Sequence, residues 1–331
     1  MTIDPVGPHM PDDGPLGSHL SDDGTHISEA DSSESTVLQR ADAERRLARR
    51  ENWRLLRRRP GFLIGSVIVG FWVVCAIGEK RITPFDPFTY TTKSQLRPGG
   101  DHFFGTDKIG RDIFSRVLAG ARDVLLVAPP AAVLGVLLGT MLGMVMGYFR
   151  GKVDLVLSRF VEALLSLPVV LIGLLVLSLA STSKLLETIT FDSRKVLVIY
   201  VVAALFAPIV ARTVRAAVIG ERDLDYVTSA RLRGESSMFI MTREIFPNIL
   251  PPIIVELTVR IGYAIFTVST LTFLGVGVQR PSPDWGLAIR EGRDLLQAGI
   301  WWPVTFPALA IASLVIGVNL IADSIQSVYE R

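Results

Sequence analysis

The sequence predicts an all-α integral membrane protein with six transmembrane helices, preceded by a disordered N-terminal tail. Of its 331 residues, 49% are hydrophobic, and the mean hydropathy is +0.42. Long apolar stretches recur from Phe62 onward and alternate with charged loops, which is typical of helical proteins that cross a membrane several times. The formal net charge of +2 argues against a dedicated nucleic-acid-binding protein.

Six hydrophobic segments are candidates for the spans. They cover residues 62–78, 124–149, 161–180, 196–212, 249–275 and 301–323. An even number of spans puts both termini on the same side of the membrane. Arginines are dense immediately before the first span, so the positive-inside rule places both termini in the cytoplasm. The loops that this scheme assigns to the outside also carry lysine and arginine, but the rule is weaker for long loops.

The N-terminal region divides by composition into two parts. Residues 1–36 are rich in Asp, Ser, Gly, Pro and His, and they contain too little apolar surface to offset the entropy of ordering, so we expect disorder. The segment His9–Gly14 echoes His19–Gly24, which leaves weak metal binding open beside a plain solvated tail. Residues 37–60 are rich in arginine with Leu and Trp interleaved, which predicts a basic amphipathic helix on the anionic inner face of the lipid membrane. Residues 61–331 then form the six-span domain.

Four glycines recur every four residues in the second span, at Gly135, Gly139, Gly143 and Gly147. At this spacing they form one smooth ridge along a helix, and in lipid such a ridge allows another backbone to approach closely. We expect the ridge to serve tight helix packing, either inside the subunit or against a partner. A direct role in lining a pathway is the alternative.

Ionisable residues inside membrane spans are candidate functional groups. Glu256 and Arg260 stand one helical turn apart in the favourable order for an ion pair, so they either neutralise each other inside the bundle or line a polar pathway. Asn319 and Asp323, also one turn apart, are expected to form hydrogen bonds between helices.

Catalytic motifs are absent from the sequence. It contains no GxxxxGK[ST] phosphate loop, no HExxH, no CxxC pair and no GxSxG elbow. We therefore expect no enzymatic activity, no bound cofactor and, apart from the weak binding left open for the tail, no metal site in this chain. The single cysteine, Cys75, lies in an apolar run, so no internal disulfide is possible and a buried structural thiol is expected.

The loop between the fourth and fifth spans, residues 221–247, carries the most informative pattern. Leu224, Val227, Ala230 and Gly234 lie at helical spacing and form one apolar to small face, with Arg231 among the charges around it. Gly234 is a suitable end for that helix, and Ser236 or Ser237 can cap the next one. The pattern predicts a short helix–turn–helix at the membrane surface, whose small residues would let a partner protein approach.

This loop resembles the EAA motif of the permeases of ABC importers. The motif reads Thr228-Ser229-Ala230, then Gly234, with Pro247 thirteen positions beyond the glycine. Thr228 stands where the family usually has glutamate. Further segments are similar to the dipeptide/oligopeptide permease family, in its C-type subunit: His102–Arg116, Tyr148–Asp154, Phe273–Gly277 and Pro281–Gly286.

The resemblance implies the six-span fold of type I ABC importer permeases, in the inner membrane of a bacterial cell. It also implies four kinds of partner, namely a homologous B-type permease, two cytoplasmic ATPases that bind ATP and Mg, an external substrate-binding protein and the lipid. In that family the loop at 221–247 is a coupling helix that docks on an ATPase, and the matching residues here are Leu224, Val227, Ala230, Arg231, Gly234 and Pro247. The implied substrates are di- or oligopeptides, with nickel or another small solute as the alternative.

Two other classes remain open from the sequence. An ion-coupled secondary transporter would work alone and would show inverted repeats with broken helices in both halves, and no convincing internal repeat is present. A membrane scaffold or receptor would use the basic helix and the loop to recruit soluble partners. The proteins that copurify in detergent distinguish these classes.

Overall fold

The computed structural model describes residues 54–182 and 191–329. The predicted tail, its possible metal ligands and the basic helix up to residue 53 lie outside these ranges. The regular elements of the described ranges are all helical, and β-pairing there is limited to one isolated bridge between Thr106 and Asp112. The predicted all-α fold is confirmed for this part of the chain.

Nine helices carry the numbering used below. They are α1 Pro60–Ile82, α2 Ile113–Tyr148, α3 Lys152–Leu165, α4 Val169–Thr182, α5 Phe191–Glu221, α6 Asp225–Leu232, α7 Phe246–Phe273, α8 Trp285–Gly292 and α9 Trp302–Tyr329. A single turn and a π-helical segment, Ser237–Phe239 and Ile240–Ile245, lead directly into α7. A 3₁₀-helix at Arg293–Ala298 follows α8.

Five helical segments are long and apolar enough to cross a membrane: α1, α2, α5, α9 and the continuous segment Ser237–Phe273 that contains α7. The predicted third span at 161–180 is not one straight helix, because α3 and α4 meet at an angle of 87°. The bend lies just before Pro168, and proline disfavours helical geometry in the residue before it. With 14 residues, α4 is about 21 Å long, which is short of the roughly 30 Å apolar core of a bilayer.

Side-chain contacts show that α3 and α4 together make one crossing. Asp154 at the start of α3 binds Arg215 near the end of α5, whereas Lys195 near the start of α5 binds Asp123, in the first third of α2. The bent pair therefore connects the two ends of the bundle. Arg59, just before α1, donates to the carbonyl oxygen of Ser327 in α9 at 3.3 Å. The chain thus enters and leaves the bundle at the same end, which requires an even number of crossings, and we count six.

The longest contact in the bundle joins α2 to α5 along the four-glycine ridge. A Cβ atom at Gly139 would lie 2.5 Å from Val210 Cβ, and one at Gly143 would lie 2.6 Å from the Ala211 carbonyl oxygen. Neither distance is possible for real atoms in van der Waals contact, so only glycine allows α5 to lie this close. The ridge faces inward, against the subunit's own helix, and the residues that flank it belong to the buried core.

We predict that Gly139→Ala lowers the melting temperature of the purified protein, because the added methyl group overpacks the α2–α5 contact. Overpacking of this kind costs about 1–3 kcal/mol. The matched control is Gly70→Ala in α1, where an added Cβ would meet nothing within 4 Å. That control should be neutral or slightly stabilising, since alanine favours helix over glycine. Equal melting temperatures for the two variants would contradict the packing role of the ridge.

Candidate functional site

The helix α6 lies across the end of the bundle with one face buried. Val227 and Ala230 are fully buried and pack with Val214 and Val218 of α5 and with Ile245. The sequence grouped these two residues with Gly234 as one face for a partner. The structure divides that set, since Val227 and Ala230 contact the protein's own core, whereas Leu224, Arg231 and Gly234 are exposed. Val227 and Ala230 therefore anchor the helix.

Gly234 ends α6 with a Schellman motif. Its amide donates to the Arg231 carbonyl at 3.0 Å, and the amide of Glu235 donates to the Ala230 carbonyl at 3.2 Å. The φ angle of Gly234 is +79°, which glycine adopts without strain. A Cβ atom at Gly234 would meet nothing within 4 Å, so the position opens outward. As predicted, Ser236 caps the next turn, its hydroxyl oxygen accepting from the Phe239 amide at 3.3 Å.

Four large apolar side chains are exposed among the charged and polar residues of this region. We call these four the outer loop face, and they are Leu224, Leu232, Met238 and Phe239. Leu232 has 85% of its surface exposed and Met238 has 68%. The sequence did not predict Leu232, Met238 and Phe239 as exposed contact residues, because the helical spacing through Val227 and Ala230 marks the face that is buried. Leu224 lies eight residues before Leu232, and this second spacing could have indicated the exposed residues.

The loop is fastened to the end of α2 and to the turn that follows it. Arg150 forms an ion pair with Asp223 at 2.5 Å, and Arg222 donates to the carbonyl oxygen of Gly147. The Arg231 guanidinium lies 5.5 Å from the centre of the Tyr148 ring. Three separate contacts therefore tie the two ends of α6 to the end of α2.

Tyr226 adds a hydrogen bond beside these contacts. Its hydroxyl donates to Glu221 Oε2 at 2.6 Å. Burial, with the neighbouring Glu221 carboxylate as a second cause, raises the pKa of Tyr226 to about 12. The phenol therefore stays protonated at physiological pH and remains a donor.

The segment after Gly234 enters the bundle through the π-helical turn. Ile240 and Ile245 are buried, while Pro247 is exposed in the first turn of α7. Proline has no amide proton, so it cannot form the bond to the carbonyl four residues earlier. The wider turn before it is one way to accommodate that missing donor.

At the opposite end of the bundle, residues 83–112 and 274–301 form a polar cap. His102 Nδ1 lies 2.8 Å from Asp112 Oδ1, and Asp112 caps α2 by accepting from the Ser115 amide at 2.7 Å. Trp285 Nε1 donates to the Val117 carbonyl at 2.8 Å. The sequence motifs at 102–116 and 281–286 also contact each other, since Arg116 donates to the carbonyl oxygen of Ser282, 166 positions further along the chain.

Sequence comparison relates this architecture to known proteins. The profile of the family described as binding-protein-dependent transport system inner membrane component matches residues 139–331. This chain belongs to that family. The match includes the four-glycine ridge from Gly139 on, the α2–α3 turn and the whole loop that carries α6.

Curated relatives of the permease cover most of its length. A putative peptide transport system permease protein of Brucella suis biovar 1 is 36% identical over 84% of this chain and 90% of its own length. The dipeptide transport system permease protein DppC of Haemophilus influenzae is 33% identical, over 83% and 92% respectively. The glutathione transport system permease protein GsiD of Escherichia coli O6:K15:H31 is 36% identical, over 83% and 88%.

The intramembrane polar residues of the permease fall into two environments. Glu256 and Arg260 form an ion pair at 2.7 Å with about an eighth of each side chain exposed, at 12% and 13%, and Arg260 also lies 5.2 Å from the Tyr263 ring centre. Asn319 and Asp323 are instead on the exposed side of α9. The first pair is therefore neutralised within the subunit, and the second pair presents polar groups on its surface.

Two buried carboxyls, Asp284 of the cap and Asp123 of α2, lie where the cap meets α2 and α5. Asp284 Oδ1 caps α8 by accepting from the Leu287 amide at 3.0 Å, while its Oδ2 has no hydrogen-bond partner in the described part of the chain. Ser282 donates to Asp123, which pairs with Lys195. Burial, and secondarily the charge of Asp123, raises the pKa of Asp284 to about 7, against the hydrogen bond that it accepts from the Leu287 amide and the weaker effect of Lys195.

We predict that Asp284→Asn stabilises the permease increasingly as the pH rises. The folded protein holds a proton on Asp284 up to a pKa of about 7, whereas the unfolded chain releases it near about 4, so this group's contribution to stability falls as the pH rises between those values. Asparagine keeps the cap acceptor and carries no charge. Melting temperatures in detergent across this range should show a growing difference between variant and wild type, and a constant difference would contradict the assignment.

Proposed function

We propose that the chain is one of two permease subunits of an ATP-driven importer for short peptides, and that the outer loop face docks on a cytoplasmic ATPase. The observation that carries this proposal is the family membership, together with an exposed apolar face that is fastened to α2 and α5. The names of the relatives, which refer to peptides, a dipeptide and glutathione, support a peptide substrate. A related importer for nickel or another small solute is the second candidate.

The loop end of the bundle faces the cytoplasm in this proposal. Arg59 contacts α9 at the same end as α6, and the sequence immediately before α1 at that end is dense in arginine. The positive-inside rule assigns such an end to the cytoplasm. Both termini then lie in the cytoplasm of the bacterial cell, and the polar cap faces outward, toward an external substrate-binding protein.

In the proposed mechanism this chain transmits movement and carries out no chemical step. ATP and Mg bind to the two partner ATPases, and this subunit carries no cofactor of its own. When the ATPases close, the docked α6 moves with them, and the contacts of Arg222 and Asp223 with the α2–α3 turn pass that movement to α2. The ridge contact makes α2 and α5 move together, which is how a rigid element transmits a two-state change. The cavity between this subunit and a homologous B-type permease then opens outward.

The polar surface of α9 has a role in this assembly. Unpaired polar groups in a membrane helix seek a partner because lipid offers none. Asn319 and Asp323 therefore form hydrogen bonds with the second permease or line the shared pathway. The Glu256–Arg260 pair, which is satisfied internally, stabilises α7.

The substrate is tested in proteoliposomes that contain the permease, its partner permease, both ATPases and the binding protein. ATP-dependent uptake of a labelled dipeptide is expected, with no uptake of nickel ions under the same conditions. Nickel uptake without peptide uptake would show that the substrate is nickel and not a peptide. Uptake driven by an ion gradient without the ATPases would overturn the assignment to ATP-driven importers.

We predict that Gly234→Trp uncouples ATP hydrolysis from uptake in these proteoliposomes. The position opens outward, with nothing within 4 Å of an added Cβ, so the indole would project into the docked partner. Gly234→Asn is the control for the backbone, since asparagine tolerates a positive φ and adds little volume. We expect about wild-type uptake per ATP for the Asn variant and strongly reduced uptake for the Trp variant. Normal coupling in a well-folded Trp variant would exclude close docking at Gly234.

A further inference from the structure

A groove with a surplus of positive charge lies in the polar cap, against α8. We call it the cationic groove, and its charged lining consists of Lys108, Arg280, Arg290, Glu291, Arg293 and Asp294. Four basic side chains therefore face two carboxylates. The groove has a volume of about 520 Å³, within the roughly 300–1,000 Å³ of small-ligand sites.

Both carboxylates of the groove are already engaged by arginine. Glu291 pairs with Arg280 and also contacts the buried Arg111 and Arg116, the latter at 3.5 Å. Asp294 lies 3.3 Å from its neighbour Arg293. Across residues 54–182 and 191–329, no carboxylate lies within ion-pair distance of Lys108 or Arg290. The surplus charge of the groove is thus carried by these two side chains.

The backbone at Gly275 fixes the position of the Arg290 side chain. Gly275 has a φ of +95°, and a Cβ atom there would lie 2.6 Å from Arg290 Cζ. The guanidinium therefore rests against a glycine backbone that no other residue could replace without displacing it. Gln279 donates to the Gly275 carbonyl at 2.9 Å and closes the same turn. Arg290 is only partly exposed, so its charge is less screened than that of a free surface arginine.

We propose that the cationic groove binds the free carboxylate of a short peptide, with Arg290 and Lys108 as the groups that hold it. A guanidinium pairs with a carboxylate through two parallel hydrogen bonds, and an ammonium adds a point charge. A cleft lined by one sign of charge also concentrates the oppositely charged ligand.

This inference extends the proposed function, because it assigns the C-terminal group of the proposed substrate a site on the outward end of the permease. Its test does not require transport. Peptide uptake without carboxylate-selective binding would overturn the proposed role of the groove and leave the proposed function unaffected. Carboxylate-selective binding by a permease that fails to import peptides would support the groove and overturn the proposed substrate.

The experiment uses the full-length chain in nanodiscs of neutral phosphatidylcholine. The probes are N-trifluoroacetyl-Ala-Ala and its C-terminal amide, and fluorine NMR line broadening measures their weak binding. We expect the acid to bind and the amide to bind about tenfold more weakly, which corresponds to the loss of one charge-assisted contact.

The double variant Lys108→Gln/Arg290→Gln should bind the acid as weakly as the wild type binds the amide. The matched control, Lys152→Gln/Arg243→Gln, removes the same charge at the other end of the bundle and should leave the broadening unchanged. Lys108→Gln alone, at an exposed position, gives an intermediate loss if the double variant fails to fold. Equal binding of acid and amide, or unchanged binding in the double variant, would overturn the proposal. So would loss of the signal on adding phosphatidylglycerol, which would assign the groove to a lipid phosphate.

Discussion

The contact between α2 and α5 is the constraint on which the rest of this structure depends. Lipid offers neither hydrogen-bond partners nor a hydrophobic drive between helices, so close packing of small residues must hold the bundle together. Here four glycines of α2 admit α5 at backbone distance, with an imagined Cβ at Gly147 only 2.6 Å from Val218 Cβ. Both ends of the bundle depend on this pair. At one end, α6 follows α5 and is fastened to the end of α2. At the other end, the cap is bonded to α2 through Trp285 and through Ser282, whose partner Asp123 also pairs with Lys195 of α5.

The loop around Gly234 works as a stiff extension of that pair. Val227 and Ala230 are buried in the bundle, and charged contacts fix both flanks of α6. We therefore expect α6 to move together with α2 and α5. This is the property that the proposed coupling requires, and it needs no chemistry in the chain. In the proposed coupling, the apolar outer loop face contacts the ATPase, and the buried face of α6 passes the movement on to the bundle.

The helices could be predicted from the sequence, but the contacts between them could not. Continuous apolar runs predicted the spans, because a crossing helix needs about 20 apolar residues whatever its neighbours are. Pro168 permits a kink in the predicted third span, but the hydropathy of residues 161–180 does not record the direction of the chain, so the 87° angle could not be predicted. The period through Val227 and Ala230 identified α6, but a period alone does not say whether an apolar face meets the chain's own core or a partner. The interlocking of Arg111 with Glu291 was also invisible, because it joins residues 180 positions apart.

The docking of the outer loop face is tested most directly by cysteine protection. The native Cys75 is 2% exposed, so Leu232→Cys introduces one accessible thiol on that face, and Phe103→Cys introduces one in the cap as the control. Both variants are treated with a maleimide in detergent, with and without the purified ATPases. The account predicts that the ATPases protect the thiol at position 232 and leave the thiol at 103 reactive. Equal labelling of the Leu232→Cys variant in the isolated permease and in the assembled complex would contradict it.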